Sequence, residues 1–313
     1  MTQKHSFDIL VAGEINPDLI LSGNVAPAFG QVEQLVDSAV LTIGSSSAIF
    51  ACGAARLGLK VAFVGVCGAD IFGRFMLDEL SRNGVDISSV IVDPAQPTGL
   101  SVILNHSGAN GTPGDRAILT HLGTIQALEA RQVPPTLLQK ARHLHIASYF
   151  LQTALQPGLP DLFRLARSLG LTTSLDTNWD PSGIWLGFDE LLPLVDIFLP
   201  NENEALAISR ATNLNAALQV LSQKSQVVAM KCGSEGGLAR RGNEYAHTAA
   251  LPVQVLDTVG AGDSFDAGFV YGWLKGWSLE KALRLAVTCG SLSTRATGGT
   301  SAQPGIEEAM KYL

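Results

Sequence analysis

The stretch DTVGAGDSFDAGF, residues 257–269, combines three glycines and three aspartates at the point where a helix is predicted to begin. Large apolar residues follow at i, i+4 and i+8, the spacing of one helix face: Phe265, Phe269 and Trp273. The pattern therefore predicts a buried helix that starts from a glycine-rich turn.

That turn has the composition of an anion-binding site. A helix N-terminus carries unpaired backbone N–H groups and partial positive charge, and small residues let an anion come close to them. Gly260, Ala261 and Gly262 would supply the amides, and Asp263 would lie in the first turn, placed to take a proton from an attacking hydroxyl. The residues alone leave a structural alternative open, because a first-turn aspartate also complements the helix dipole.

Composition narrows the class of protein. The 313 residues are 46% hydrophobic and 16% charged, as in a globular protein of one large or two modest domains. The formal net charge is −7, and no lysine or arginine run forms a basic patch. Nucleic acids and anionic membranes usually bind basic surfaces, so we expect neither as a partner. No apolar segment approaches the roughly 18 residues of a membrane-spanning helix.

The cysteines and the N-terminus predict a cytoplasmic protein. The four cysteines are far apart in the sequence and form no Cys-x-x-Cys pair, so we expect reduced thiols rather than a zinc or redox motif. The first residues, MTQKHSFDIL, lack the apolar stretch and cleavage site of a signal peptide.

Strand-like and helix-like segments alternate along the chain. Short apolar runs predict strands at 7–13, 61–66, 143–148, 172–176, 195–200 and 226–231. Helical spacing lies between several of them, for example at 160–170 and after Asn201. This alternation predicts an α/β fold, a mostly parallel sheet with helices on both faces, in which ligands bind beyond the carboxyl ends of the strands.

Two segments interrupt the alternation. Residues 15–40 and 96–126 show β-like patterns with glycine and proline, and 104–123 reads as a hairpin with a long flexible tip. We predict that they form a small β-sheet lid over an α/β core made of 1–14, 41–95 and 127–313. Plain surface loops are the alternative.

The glycine-rich stretch resembles, almost completely over its 13 residues, the C-terminal signature of the ribokinase-like carbohydrate kinases, also called the pfkB family. The likeness extends over nearly the whole chain, and it implies the ribokinase-like α/β fold. It implies that Asp263 is the catalytic base and that the backbone of Gly260, Ala261 and Gly262 forms the anion hole. In several members, the residue matching Asp257 helps to hold a monovalent cation such as K⁺.

Two further motifs concern ATP and Mg²⁺. Asn201 and Glu204 have the spacing of a helix capping box, and they also match the family's Asn-x-x-Glu motif near Mg²⁺ and the phosphates. The resemblance implies that Glu204 acts on Mg²⁺ directly or through water. The segment MKCGSEGG, 230–237, resembles the nucleotide-binding loop, with Lys231, Gly233 and Gly236 at the matching positions.

The acceptor site is predicted from four residues. Asn16 and Asp18 follow the first strand, where family members often place an aspartate that binds sugar hydroxyls. Gly44 belongs to a segment resembling the N-terminal signature, and Asn178 follows a central strand in a segment typical of fructokinase-like members. The N-terminal signature is imperfect: Ile49 stands where ribokinase has a substrate-binding asparagine, which argues against ribose as the acceptor.

We therefore predict an ATP-dependent kinase of a small sugar or sugar acid that uses Mg²⁺. By analogy with the family it would form a homodimer through the lid. A nucleoside kinase on the same fold, or a sugar-binding protein without activity, are the alternatives.

Overall fold

Two sheets organise the structure, a computed structural model that describes residues 5–106 and 115–313. The strands are β1 Ile9–Ala12, β2 Pro17–Gly23, β3 Ser38–Ile43, β4 Val61–Val64, β5 Val66–Gly68, β6 Ile91–Asp93, β7 Leu100–His106, β8 Asp115–His121, β9 His143–Ile146, β10 Thr172–Leu175, β11 Ile197–Phe198, β12 Val227–Lys231, β13 Gly237–Arg241 and β14 Glu244–Thr248. The helices are α1 Ser46–Arg56, α2 Ile71–Arg82, α3 Pro135–Leu138, α4 Leu159–Ser168, α5 Phe188–Leu191, α6 Glu202–Ser209, α7 Leu214–Leu221, α8 Ala261–Leu274, α9 Leu279–Ser293 and α10 Ile306–Ala309.

The large sheet has the strand order β14-β13-β12-β11-β10-β9-β1-β4. The six strands from β12 to β4 are parallel, and β13 and β14 add an antiparallel edge. The predicted mostly parallel α/β sheet is confirmed.

Each central strand contributes to two hydrophobic cores, because successive side chains of a strand point to opposite faces. In β1, Ile9 and Val11 belong to the core under α1, α8 and α9, whereas Leu10 and Ala12 belong to the core under α4 and α7. Burial on both faces explains why these strands read as continuous apolar runs. None of the helices in the described residues is long and apolar enough to cross a membrane.

The second sheet has the order β3-β2-β7-β8 and comes from the two segments predicted as the lid. β3 continues three residues past the predicted boundary at residue 40, because Ile43 pairs with Pro17 of β2. Residues 107–114, the predicted hairpin tip, lie outside the described residues. Ile20 and Ile103 of this sheet form a small buried cluster with Val259, which ties the lid to the glycine-rich turn.

Candidate active site

A cavity of about 1000 Å³ lies between the lid sheet and the carboxyl ends of the central strands. It is lined by twelve of the fourteen residues that the sequence predicts for the site: Asn16, Asp18, Asn178, Asn201, Glu204, Lys231, Gly233, Gly236, Gly260, Ala261, Gly262 and Asp263. The other two, Gly44 and Asp257, are not among the lining residues. The fold therefore brings together segments more than 200 residues apart in the sequence, and the roles of the individual residues stay predictions.

The glycine-rich turn forms the N-terminus of α8. Gly260 is the N-cap and has φ 72°, in the left-handed region. A Cβ on this residue would lie 2.6 Å from the Cα of Gly299, so only glycine fits. The amides of the first three helical residues have no acceptor within the helix, the amide of Ala261 donates to the carbonyl oxygen of Thr258 at 3.3 Å, and residues 260–263 line the cavity. The turn can therefore present backbone donors to an anion.

Asp263 lies in that first turn and is only 8% exposed. Burial, with a further contribution from Asp176, raises its pKa to about 8, while Lys231 and the hydroxyl of Ser46 oppose the shift. A carboxyl group with a pKa near neutrality can accept a proton and release it again, as a general base must.

Lys231 lies at the end of β12, and its ammonium group is held by two buried carboxylates. Its Nζ is 3.0 Å from Oδ2 of Asp176 and 3.2 Å from Oδ2 of Asp266. Burial alone would lower the pKa of Lys231. The surrounding carboxylates raise it by a larger amount, so the pKa lies well above its usual value. Asp176, Asp263 and Asp266 have oxygens within 4.8 Å of one another, and the Lys231 ammonium supplies the positive charge beside them.

Asn201 and Glu204 form the predicted capping box at the start of α6. The backbone N–H of Glu204 donates to Oδ1 of Asn201, and the backbone N–H of Asn201 donates to Oε2 of Glu204, each at 3.0 Å. The Thr177 hydroxyl donates to the same Oε2 at 3.3 Å. Burial and Asp176 raise the pKa of Glu204 to about 7. A carboxylate with these partners fits a water-mediated contact with Mg²⁺ better than direct ligation.

Gly233 and Gly236 shape the turn between β12 and β13. Both have positive φ, and a Cβ on Gly236 would lie 2.0 Å from the carbonyl oxygen of Thr248. This turn lines the cavity beside α8, where a nucleotide-binding loop is expected.

Asp18 and Gly44 depend on each other at the lid end of the cavity. A Cβ on Gly44 would lie 2.1 Å from Oδ1 of Asp18, so the glycine leaves room for the carboxylate. Burial raises the pKa of Asp18 to about 7, and Arg116 opposes the shift. The Asn16 amide is 3.5 Å from the Ser101 hydroxyl, at the limit of a hydrogen bond.

Asp257 connects two loops. Its two carboxylate oxygens accept hydrogen bonds from the amides of Val259 and Gly298, each at 2.9 Å. This geometry fixes the start of the glycine-rich turn, and binding of a monovalent cation at Asp257 stays a prediction.

Glu14 is a cavity residue that was not predicted from the sequence. Its Oε1 accepts from the Ser148 hydroxyl at 2.8 Å and from the Ser47 amide at 3.2 Å, and its Oε2 accepts from the Ser47 hydroxyl at 2.5 Å. The Asn178 amide donates to the hydroxyls of Ser148 and Ser46. A buried carboxylate thus orders the polar wall next to Asp263.

This wall contains three strained residues. Ser45, Ser148 and Asn178 have φ values of 65°, 50° and 53°, in the left-handed region that non-glycine residues rarely adopt. Such conformations cost about 1–3 kcal/mol each and persist only where surrounding contacts enforce them. The hydrogen bonds around Glu14 are those contacts.

Asp176 and Asp266 are two further site residues that were not predicted from the sequence. Asp266 lies three residues after Asp263, hence on the same side of α8, and Asp176 directly follows β10. These two positions in the sequence could have marked the aspartates as site residues. Neither position shows that Lys231 lies between their carboxylates.

Comparison with known proteins identifies relatives of the whole chain. The sequence profile of the pfkB family of carbohydrate kinases matches residues 7–305. A 2-dehydro-3-deoxygluconokinase of Bacillus subtilis is 31% identical over 277 residues, which cover 84% of each protein. A ribokinase of Haemophilus influenzae is 27% identical and covers 97% of this chain and 98% of its own length. The structure of an Arabidopsis thaliana ribokinase complexed with ribose and ATP superposes with a TM-score of 0.83, at 22% identity and 98% coverage of both chains.

Replacing Asp263 by asparagine should stabilise the protein at alkaline pH. The folded protein holds the Asp263 proton up to about pH 8, whereas the unfolded chain releases it near 3.8. The folded state therefore binds more protons in this window, and stability falls as the pH rises through it. We compare the Tm of Asp263→Asn with the Tm of wild type at two pH values. The Tm of the variant minus that of wild type should be at least about 2 °C larger at pH 8.5 than at pH 5. Asp189→Asn, at an exposed aspartate, is the matched control. If the difference in Tm between Asp263→Asn and wild type does not change with pH, the raised pKa of Asp263 is contradicted.

Replacing Glu14 by glutamine should loosen the strained wall. Glutamine keeps one acceptor oxygen but loses the other and the negative charge, so the donors of Ser47 and Ser148 lose a charged acceptor and at least one of their hydrogen bonds must rearrange, at a cost of about 1–3 kcal/mol in the free energy of unfolding. Urea unfolding measures this loss. Glu190→Gln, at an exposed glutamate, should change stability by less than about 0.5 kcal/mol. Equal stabilities of Glu14→Gln and wild type would show that Glu14 does not hold the wall.

Proposed function

The chain belongs to the pfkB family of carbohydrate kinases, and from this membership we propose that it transfers the γ-phosphoryl group of ATP to a hydroxyl of a small sugar or sugar acid. As a carbohydrate kinase it is a phosphotransferase whose acceptor is an alcohol group. The observation that carries the proposed mechanism is buried Asp263 in the first turn of α8, beside a glycine turn that lines the cavity.

The chemistry follows from these positions. Asp263 takes the proton of the acceptor hydroxyl as the hydroxyl oxygen attacks the γ-phosphorus, and the bond to the β–γ bridging oxygen breaks on the opposite side. The amides of Gly260, Ala261 and Gly262 stabilise the charge on the transferring phosphoryl group. Lys231 counters the negative charge of the surrounding carboxylates, which favours the ionised form of Asp263.

ATP and Mg²⁺ are the second part of the proposal. A structural relative assigned as a ribokinase II of Escherichia coli was solved in complex with ATP and Mg²⁺, and it shares 23% identity at a TM-score of 0.85 over 98% of both chains. In this chain, Asn201, Lys231 and the glycines of the β12–β13 turn would surround the nucleotide. Mg²⁺, held through water by Glu204, would neutralise charge on the phosphate oxygens. A K⁺ site at Asp257, a cytoplasmic location and the lack of nucleic-acid and membrane partners stay predictions.

The acceptor would occupy the end of the cavity under the lid. Asp18, Asn16 and Asn178 offer carboxylate and amide groups that suit the hydroxyls of a polyol. The lid sheet covers this end and would keep water from competing with the acceptor.

The outer face of the lid sheet supports a homodimer. Leu41, Leu19, Val102 and Leu119 are paired in register and form one apolar row across all four strands. These side chains lie outside the hydrophobic cores and are half-buried or exposed, with Leu119 61% exposed. We propose that a second copy of the chain covers this face, because a contiguous apolar sheet surface is unfavourable in water.

An assay of ADP release tests the reaction. The purified protein is incubated with ATP, Mg²⁺ and K⁺ and a panel of sugars, sugar acids and nucleosides. We expect one class of acceptor to stimulate turnover, and Asp263→Asn to lower kcat by about 10²–10⁴-fold, while Asp189→Asn retains wild-type activity. Full activity in Asp263→Asn would exclude it as the base, and saturable sugar binding without any turnover would favour a binding protein.

A charged substitution on the outer face of the lid sheet tests the proposed dimer interface. Wild type should be a dimer by light scattering at micromolar concentration, and Leu119→Asp should be a folded monomer, because burying an unpaired carboxylate is costly. Leu165→Asp, at a partly exposed leucine of α4, is the control and should remain dimeric. A monomeric wild type, or a dimeric Leu119→Asp variant, would refute the proposed interface.

A further inference from the structure

Trp179 is a large aromatic residue that lines the cavity and yet is 61% exposed. It directly follows Asn178, whose amide donates to the hydroxyls of Ser46 and Ser148. The Ser46 hydroxyl in turn hydrogen-bonds Asp263. This chain of contacts places Trp179 near the acceptor end of the cavity.

The loop that carries Trp179 is held firmly. The Asp180 carboxylate accepts hydrogen bonds from the amides of Ser182, Ile184 and Trp185, at 2.8, 3.0 and 2.7 Å. Several polar contacts on one buried carboxylate fix the turn that follows the indole, so the exposure of Trp179 does not reflect a loose loop.

A row of aromatic rings supports the indole from behind. Trp179 packs edge-on against Trp185 at 5.3 Å between ring centroids, and Trp185 packs the same way against Phe150 at 5.3 Å. Phe150 contacts Phe188, which is buried in a hydrophobic core. An aromatic side chain fixed in this way loses little conformational entropy when a ligand packs on it.

The charges of the cavity disfavour an anionic acceptor. Its lining has six acidic side chains: Glu14, Asp18, Asp176, Glu202, Glu204 and Asp263. The basic side chains of the lining are Arg116 and Lys231. Lys231 is paired with two carboxylates, and Arg116 is close enough to Asp18 to lower its pKa. Among the described residues, both basic side chains of the lining are therefore already beside carboxyl groups, and a carboxylate on the acceptor would have to compete for them.

We propose that Trp179 determines acceptor specificity, by packing its indole against the apolar face of an uncharged ring. The proposal rests on the kinase function proposed above and narrows its substrate class. Both a closed sugar ring, through its C–H face, and the base of a nucleoside present such a face to an aromatic ring. Sugar acids, which carry a negative charge, are disfavoured.

Steady-state ADP release separates these classes of acceptor. Wild type, Trp179→Ala, Trp179→Phe and the control Trp277→Ala are assayed with neutral sugars, nucleosides and sugar acids. We expect wild type to prefer a neutral ring over every sugar acid by at least about tenfold in kcat/KM. Trp179→Ala should raise the acceptor KM about tenfold, with kcat and the KM for ATP changed less than twofold, because the proposed ligand contact of the indole is with the acceptor and not with ATP. Trp179→Phe should restore most of the affinity. Trp277→Ala, at a half-buried tryptophan that packs on the core and is not among the residues lining the cavity, should match wild type in these kinetic constants.

The results separate this proposal from the kinase proposal. Turnover by wild type with an unchanged acceptor KM in Trp179→Ala, or a wild-type preference for a sugar acid, would overturn the role of Trp179 and leave the kinase function intact. If wild type turns over no acceptor, the kinase proposal fails, and calorimetric titration with the same compounds decides about Trp179. Neutral-ring binding that is weakened about tenfold in Trp179→Ala would support its role, and absence of neutral-ring binding by wild type would overturn it. A preference for nucleosides over free sugars would identify the ring as a base.

Discussion

The ammonium group of Lys231 lies among buried carboxylates at the point where β10, β12 and α8 meet. Three carboxyl groups this close could not all be ionised in a buried site without a nearby positive charge. The lysine joins the three elements, lies beside the glycine turn and opposes the rise in the pKa of Asp263. The shape of the site and the charge of its proposed base therefore depend on one interaction.

The remaining walls of the cavity show that stability is given up locally. Glu14 accepts hydrogen bonds from Ser45 and Ser148, and Ser148 accepts one from Asn178, so these contacts support three residues in an unfavourable backbone conformation. Asp18 and Glu204 keep raised pKa values through burial. Such groups are retained where function requires them, and the two large hydrophobic cores offset their cost. The lid adds a further contact, since Ile20 and Ile103 pack on Val259 just before the anion-binding turn.

Local features of the structure could be predicted from the sequence, and features made by distant contacts could not. The capping box of Asn201 and Glu204 and the helix after Gly260 follow from neighbouring residues, and the α/β fold follows from alternating apolar segments. The end of β3 depends on its pairing with β2, which a local pattern does not show. The partners of Lys231 also escaped prediction, because they are separated from it by 55 and 35 residues. The sequence marks these residues as polar and small, but only the fold shows which of them meet.

The dependence of kcat/KM on pH, in wild type and in Lys231→Met, tests most directly whether this lysine controls the base. Methionine keeps an unbranched stem beside Gly262 and removes the charge. For wild type the account predicts an acidic limb with a pKa near 8, the value for Asp263 in the free protein. In Lys231→Met the limb should move at least about one unit to higher pH, because the opposing positive charge is gone. The same limb in both proteins would contradict the account, because the proton acceptor would then not sense Lys231.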